Sequence, residues 1–290
     1  MCVPGTVETV RARLEEEGPP SLSRRAVLGA GAGALLAGAL PGEALARGGR
    51  GRGRGHGRGK GRRRRLADLT HTFSEDFPLF PGSPENSRTT AVTIEENGFY
   101  GQVWTFWEHS GTHMDVPGHF IPGGRKTPDL ELKELLAPAA VVDISERVAG
   151  DPDAVVEPAD LVAFERRHGR IPRGAVVCMH SGWESRAGSV EDYRNADSSG
   201  VMHFPGWGKD AIVWLLERRA IRGIGVDTMS LDPGNSTTFD AHLTILGADR
   251  YGIENLRGLK GIPPRGATLY VGVVPWLEGS GGPARIVASY

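Results

Sequence analysis

His109-Ser110-Gly111-Thr112-His113-Met114-Asp115-Val116-Pro117-Gly118-His119-Phe120 is the most informative stretch of the 290-residue chain. Three of the nine histidines fall within these residues, with a carboxylate between them. His109 and His113 are four apart, the spacing that puts two side chains on one helix face. Gly111 and Pro117 disfavour that helix, and no Glu follows His109, so the pattern of zinc proteases does not apply. In an extended strand, positions 109, 113, 115 and 119 would share one side. However, 109 and 113 would then lie up to ~14 Å apart, too far for two ligands of one ion. The chain must fold back, and Gly111, Pro117 and Gly118 permit the turns. A turn-rich loop would then gather imidazoles and a carboxylate around one point, a donor set suited to Zn²⁺, Mn²⁺ or Fe²⁺.

Outward from this loop the chain mixes short strands and helices. Gln102 to Glu108 is β-branched and aromatic and predicts a strand. Ala139–Ile144, Gly174–His180, Gly223–Val226 and Ala267–Val274 predict further buried strands. Pro158–Arg167 and Lys209–Arg219 carry helical periodicity, with Pro158 suited to a first turn. Strands alternating with helices predict an α/β domain over residues 66–290. Cys178 lies in the apolar run Ala175–Met179 and is expected to be a buried core thiol rather than a nucleophile.

Asp240-Ala241-His242, followed twelve residues later by Glu254, is a weak pair by itself. Order and context strengthen it. His109 to Phe120 resembles the H-x-G-T-H-x-D-x-P-x-H-F signature of the cyclase family of metal-dependent hydrolases. Asp68-Leu69-Thr70-His71, Phe80-Pro81-Gly82, Phe204-Pro205-Gly206, Gly225 to Asp232, Asp240-Ala241-His242 and Gly282-Pro283-Ala284-Arg285 resemble further family segments in the expected order. The resemblance spans roughly Leu66 to Tyr290. It implies a compact swivelling β/β/α domain with a mixed sheet and flanking helices, assembled as a homodimer or homotetramer.

The resemblance also assigns roles. It makes His109, His113 and Asp115 ligands of a first divalent metal, Zn or Mn. Asp115, His242 and Glu254 would hold a second ion, if there are two, with Asp115 and Glu254 bridging. His119 would be the catalytic acid/base beside a metal-activated water. The implied reaction is hydrolysis of an amide, lactam or ester carbonyl in a small molecule of the aryl formamide or cyclic imide/lactone class. Trp104, Phe106, Trp107, Phe204 and Trp207 are candidates to hold a planar aryl group, although some must fill core. His180 departs from the family pattern; lining the pocket or binding metal is an alternative, and a supporting, hydrogen-bonded role is expected. Asp227 and Asp232 are expected to form turns or outer hydrogen bonds rather than to take part in catalysis. A cyclase/dehydratase or lactone hydrolase would use the same ligands. A non-catalytic envelope-binding protein would have no reason to keep all six site residues.

The formal net charge of −1 conceals a strong asymmetry. Residues 1–65 carry 14 Lys and Arg against 5 Asp and Glu, while residues 66–290 carry 20 against 30. Arg24-Arg25 precede an apolar Ala/Gly/Leu run ending in Ala44-Leu45-Ala46, a pattern resembling a twin-arginine export signal over residues 1–46. That run is too short to span a bilayer, so an exported mature form without a transmembrane span is expected. Residues 47–65 hold eight Gly, nine Arg, one Lys and one His, which predicts a disordered basic linker. The linker can make weak contact with an anionic envelope, but it lacks the aromatics of a specific nucleic-acid binder.

Overall fold

The computed structural model describes residues 64–290. The expected export signal, and the basic linker apart from Arg64 and Arg65, lie outside the described residues. Arg65 already exchanges backbone hydrogen bonds with Tyr290, its N–H donating over 2.7 Å.

The architecture is the predicted α/β type, and its sheet closes on itself. Among the described residues the strands are β1 (Leu66–Asp68), β2 (Ser87–Val92), β3 (Gly101–Thr105), β4 (His113–Asp115), β5 (Leu136–Asp143), β6 (Val155–Val156), β7 (Val176–His180), β8 (Gly206–Trp207), β9 (Gly223–Val226), β10 (Tyr251–Glu254), β11 (Arg265–Val273) and β12 (Gly281–Ser289). β5, β7, β9 and β10 run parallel, and β11 and β12 add antiparallel. β4 then pairs with both β10 and β12, so seven strands form a closed, barrel-like ring. Closure leaves no unpaired edge where β4 sits. β1 extends the far end of β12.

Strand periodicity sorts the side chains onto two faces. Ala139, Val141, Val176 and Cys178 face one buried cluster together with Ile253, Leu269 and Ile286. Ala140, Val142, Val177 and Met179 face the other, under helices α1 (Pro158–His168) and α2 (Lys209–Arg218), which contribute Leu161, Phe164, Ile212 and Leu215. Helix α3 (Asp240–Gly247) is buried from Ala241 to Leu246, the polar His242 and Thr244 included. Cys178 is fully buried and desolvation pushes its thiol up to about 12, consistent with a core residue.

The predicted strands appear with shifts of a few residues at their ends. The predicted 102–108 strand stops at Thr105, because Trp107 N–H turns to the side chain of Asn86 at 3.1 Å. β2 and β3 form a separate hairpin whose tip exposes Phe99 and Tyr100. Among the described residues, no helix is long and apolar enough to cross a membrane.

Candidate metal centre

β4 is three residues long and carries two of the predicted ligands, His113 and Asp115, both buried. Its antiparallel register with β10 sets Glu254 opposite His113, and its register with β12 sets Gly281 opposite Asp115. The fold-back expected before β4 occurs at Gly111, whose φ of 63° lies in the left-handed region that glycine adopts freely. After β4, Pro117 opens a single 3-10 turn, Pro117–His119, which brings His119 back over His109. The two rings stack with centroids 3.6 Å apart. His242 arrives from the first turn of α3, where Asp232 accepts hydrogen bonds from Ala241 N–H at 2.7 Å and His242 N–H at 3.1 Å. Closure of the ring therefore brings together all six predicted site residues.

The distances describe one polar cluster. Asp115 Oδ1 lies 2.6 Å from His109 Nδ1 and 3.4 Å from His113 Nε2. Asp115 Oδ2 lies 3.4 Å from His242 Nε2. Glu254 reaches both imidazoles, at 3.2 Å from His113 Nε2 and 3.1 Å from His242 Nε2. His109, His113 and Asp115 offer donor atoms within 4.8 Å of one another, as do Asp115, His119 and His242. His119 thus stands as near to Asp115 and His242 as a ligand would.

Hydrogen bonds behind the rings decide which nitrogen faces inward. His113 Nδ1–H donates to Gly111 O at 2.9 Å. His242 Nδ1 lies 2.6 Å from Asp232 Oδ2. A carbonyl and a carboxylate only accept, so both Nδ1 atoms keep their hydrogens and both Nε2 atoms point into the cluster. His113 Nε2 and Asp115 Oδ2 are buried without a hydrogen-bond partner, an arrangement that proteins rarely leave in place without a purpose.

The electrostatics point the same way. Burial would push His113 down, but Asp115 and Glu254 overcome it and raise its imidazole to about 10. His242 is likewise raised well above the ordinary range, by Asp115, Asp232 and Glu254 acting against burial. Asp115 is held well below the carboxylate range by His113 and His109 despite complete burial. Two buried carboxylates thus draw positive charge onto the imidazoles between them. A divalent cation supplies that charge with nitrogen and oxygen donors already aimed inward, so the residues fit one. His119 goes the other way: desolvation, then the neighbouring His109, hold it well below the ordinary range, leaving a neutral imidazole.

The cluster forms one wall of a cavity of about 90 Å³. Phe80, Trp107, Phe120 and Phe239 form much of the rest, with Ser83, Ser230 and Asn255 as polar points. Phe120 lies nearly parallel to the His242 ring at 4.6 Å. Of the five aromatics singled out from sequence, Trp107 lines this cavity. Phe204 and Trp207 are buried in the core, and Trp104 and Phe106 pack edge-on against Phe73. Phe239 escaped sequence reasoning because its place depends on a backbone at φ 50°, which no residue pattern announces. Phe80 and Phe120 did leave a signal, as loop aromatics beside prolines and the histidine motif.

His180 faces Asp227 at 3.3 Å and does not line this cavity. Asp227 accepts from Ser181 N–H, Ser181 O–H and Gly182 N–H, so it organises a turn. Asn255, at φ 56°, links the centre to Tyr193. Tyr193 O–H donates to Asn255 Oδ1 at 2.7 Å, and Asn255 Nδ2–H donates to Gly111 O at 2.8 Å.

Residues 67–233 match the family model described as putative cyclase. The chain is 32% identical to an isatin hydrolase of Roseibium aggregatum over 241 residues, covering 77% of this chain and 90% of that protein. It is 29% identical to a kynurenine formamidase of Sphingopyxis alaskensis, covering 69% of this chain and 86% of that one. The solved structure of isatin hydrolase A from Ralstonia solanacearum superposes with a TM-score of 0.73 at 32% identity, covering 78% of this chain and 92% of that one.

Proposed function

Because the chain belongs to the cyclase family, whose model matches residues 67–233, we propose that it hydrolyses the amide or lactam carbonyl of a planar aryl substrate with the help of a divalent metal. The carrying observation is the set of inward-facing Nε2 atoms of His113 and His242, locked by acceptors behind each ring and facing two buried carboxylates. Similarity to an isatin hydrolase and a kynurenine formamidase supports the carbonyl class.

His109, His113 and Asp115 would hold the first cation, and Asp115, His242 and Glu254 a second where two are bound. When bound, the cation supplies Lewis acidity, acidifying water and polarising a carbonyl oxygen. His119, neutral and partly exposed to the cavity, takes a proton from the attacking water and returns it to the leaving nitrogen or oxygen. Phe80, Trp107, Phe120 and Phe239 clasp the aryl plane and keep bulk water away from the reacting carbon.

The nitrogen and oxygen donor set supports Zn or Mn. A homodimer or homotetramer is supported by the β2–β3 hairpin, a two-stranded sheet of marginal independent stability, with Phe99 62% and Val103 56% exposed. The twin-arginine pattern supports export.

Metal-stripped full-length protein, assayed against isatin, N-formylkynurenine and simple lactones, should be inactive and regain hydrolysis with Mn²⁺ or Zn²⁺. Stoichiometric metal binding without hydrolysis of any of them would overturn the reading.

A further inference from the structure

Two of the ligand imidazoles have their outer nitrogens tied to groups that only accept hydrogen bonds, Gly111 O and Asp232. His109 differs. Its outer nitrogen, Nε2, lies 2.9 Å from Ser280 Oγ, a hydroxyl that can donate or accept. If the hydroxyl donated to Nε2, the ring hydrogen would sit on Nδ1, the nitrogen aimed at Asp115, and a cation could not bind there. Something must settle the direction.

Glu108 does. Its Oε2 accepts from Ser280 O–H at 2.6 Å and from Ser280 N–H at 3.1 Å. The shorter contact is in the range of a hydroxyl donating to a carboxylate, and the 2.9 Å contact is ordinary for N–H to oxygen. Ser280 therefore gives its only hydroxyl hydrogen to Glu108 and must accept from His109 Nε2–H. Nδ1, 2.6 Å from Asp115 Oδ1, is then the nitrogen left to meet the cation. The backbone holds this chain in place, since Val116 N–H donates to Ser280 O at 3.0 Å. Gly281 permits the close approach, because a Cβ there would come within 2.6 Å of His109 Cε1.

We propose that Glu108 is a positioning residue that acts through Ser280 to orient His109 and present its Nδ1 to the first cation. This rests on the metal-hydrolase reading above. Glu108 is exposed at its outer side, 37% by side chain, so its substitution tests the role without breaking the core.

The test is calorimetric titration of Mn²⁺ into metal-stripped full-length wild type, Glu108→Ala, Glu108→Gln, Ser280→Ala and the Glu108→Ala/Ser280→Ala double variant. Glu108→Ala and Ser280→Ala should each weaken Mn²⁺ binding by about 10–100-fold, the usual effect of losing an outer partner of a ligand. Glu108→Gln, whose amide oxygen still accepts, should stay within about threefold of wild type, and the double variant should be no weaker than Ser280→Ala, because the two residues act in series. Glu108→Ala binding as tightly as wild type overturns the proposal. Glu108→Gln as weak as Glu108→Ala also overturns it, since charge rather than hydrogen-bond direction would then carry the effect. A wild type that takes up no Mn²⁺ or Zn²⁺ instead overturns the metal-hydrolase reading itself.

Discussion

Glu254 stands directly across the β4–β10 ladder from His113, with Oε2 3.2 Å from Nε2. The two residues are 141 positions apart, and only closure of the ring by β4 makes them neighbours. The same closure sets Asp115 between His113 and His242. The consequences of this arrangement can be measured.

His119→Ala should lower turnover by at least about 100-fold, the scale of a lost general acid/base, while bound metal stays near the wild-type amount. Activity assay and metal analysis on the same samples check this. Loss of metal along with activity would make His119 a ligand, a place its distance to Asp115 and His242 also allows.

Metal affinity should rise with pH. His113 carries its inward proton up to about 10, and a cation must displace that proton. Below that pH, each unit of acidification should weaken binding by up to about tenfold per proton displaced. Calorimetry at pH 7 in buffers of different ionisation enthalpy should record proton release, and binding that ignores pH between 6 and 8 would contradict the charge reading.

Asp232→Ala removes both the acceptor behind His242 and the hydrogen bonds that begin α3. Metal binding should weaken by about 10–100-fold. Stability should fall by about 1 kcal/mol or more from the lost helix start, read as a lower thermal midpoint of the metal-free protein.

Phe239→Ala opens the aromatic wall at a residue that supplies no donor atom, its ring standing edge-on to His242 at 5.9 Å. The KM for an aryl substrate should rise by about tenfold or more, the scale of a truncated apolar contact, with metal affinity close to wild type. Equal KM values would move the aryl group elsewhere in the cavity.

How much of this was legible in the sequence differs from element to element. β5, β7, β9 and β11 announced themselves because buried strands must be apolar runs, and α1 and α2 because each must turn an apolar stripe inward. β4 did not, being three residues long and polar at two of them. Asp227 and Asp232 proved to be hydrogen-bond organisers, as their turn positions suggested. The aromatic wall was largely hidden, since Trp104, Phe106, Phe204 and Trp207 resemble Trp107 in sequence and differ only in what packs beside them.

By itself the sequence determined the chemistry of the donors. The run His109 to Phe120 carries three imidazoles, a carboxylate and the turn-formers Gly111, Pro117 and Gly118, so the donor types and the turns that let them converge lie in one short stretch. The tertiary structure decided how the distant His242 and Glu254 meet them and how each ring is oriented. Ser280 has nothing distinctive around it in sequence that ties it to His109, and Glu254 meets His113 only when the ring closes. The donor types of His109 to Asp115 are local to the chain, whereas ring orientation depends on hydrogen bonds to Asp232, 10 residues from His242, and to Ser280, 171 residues from His109, partners that only the fold sets beside the rings.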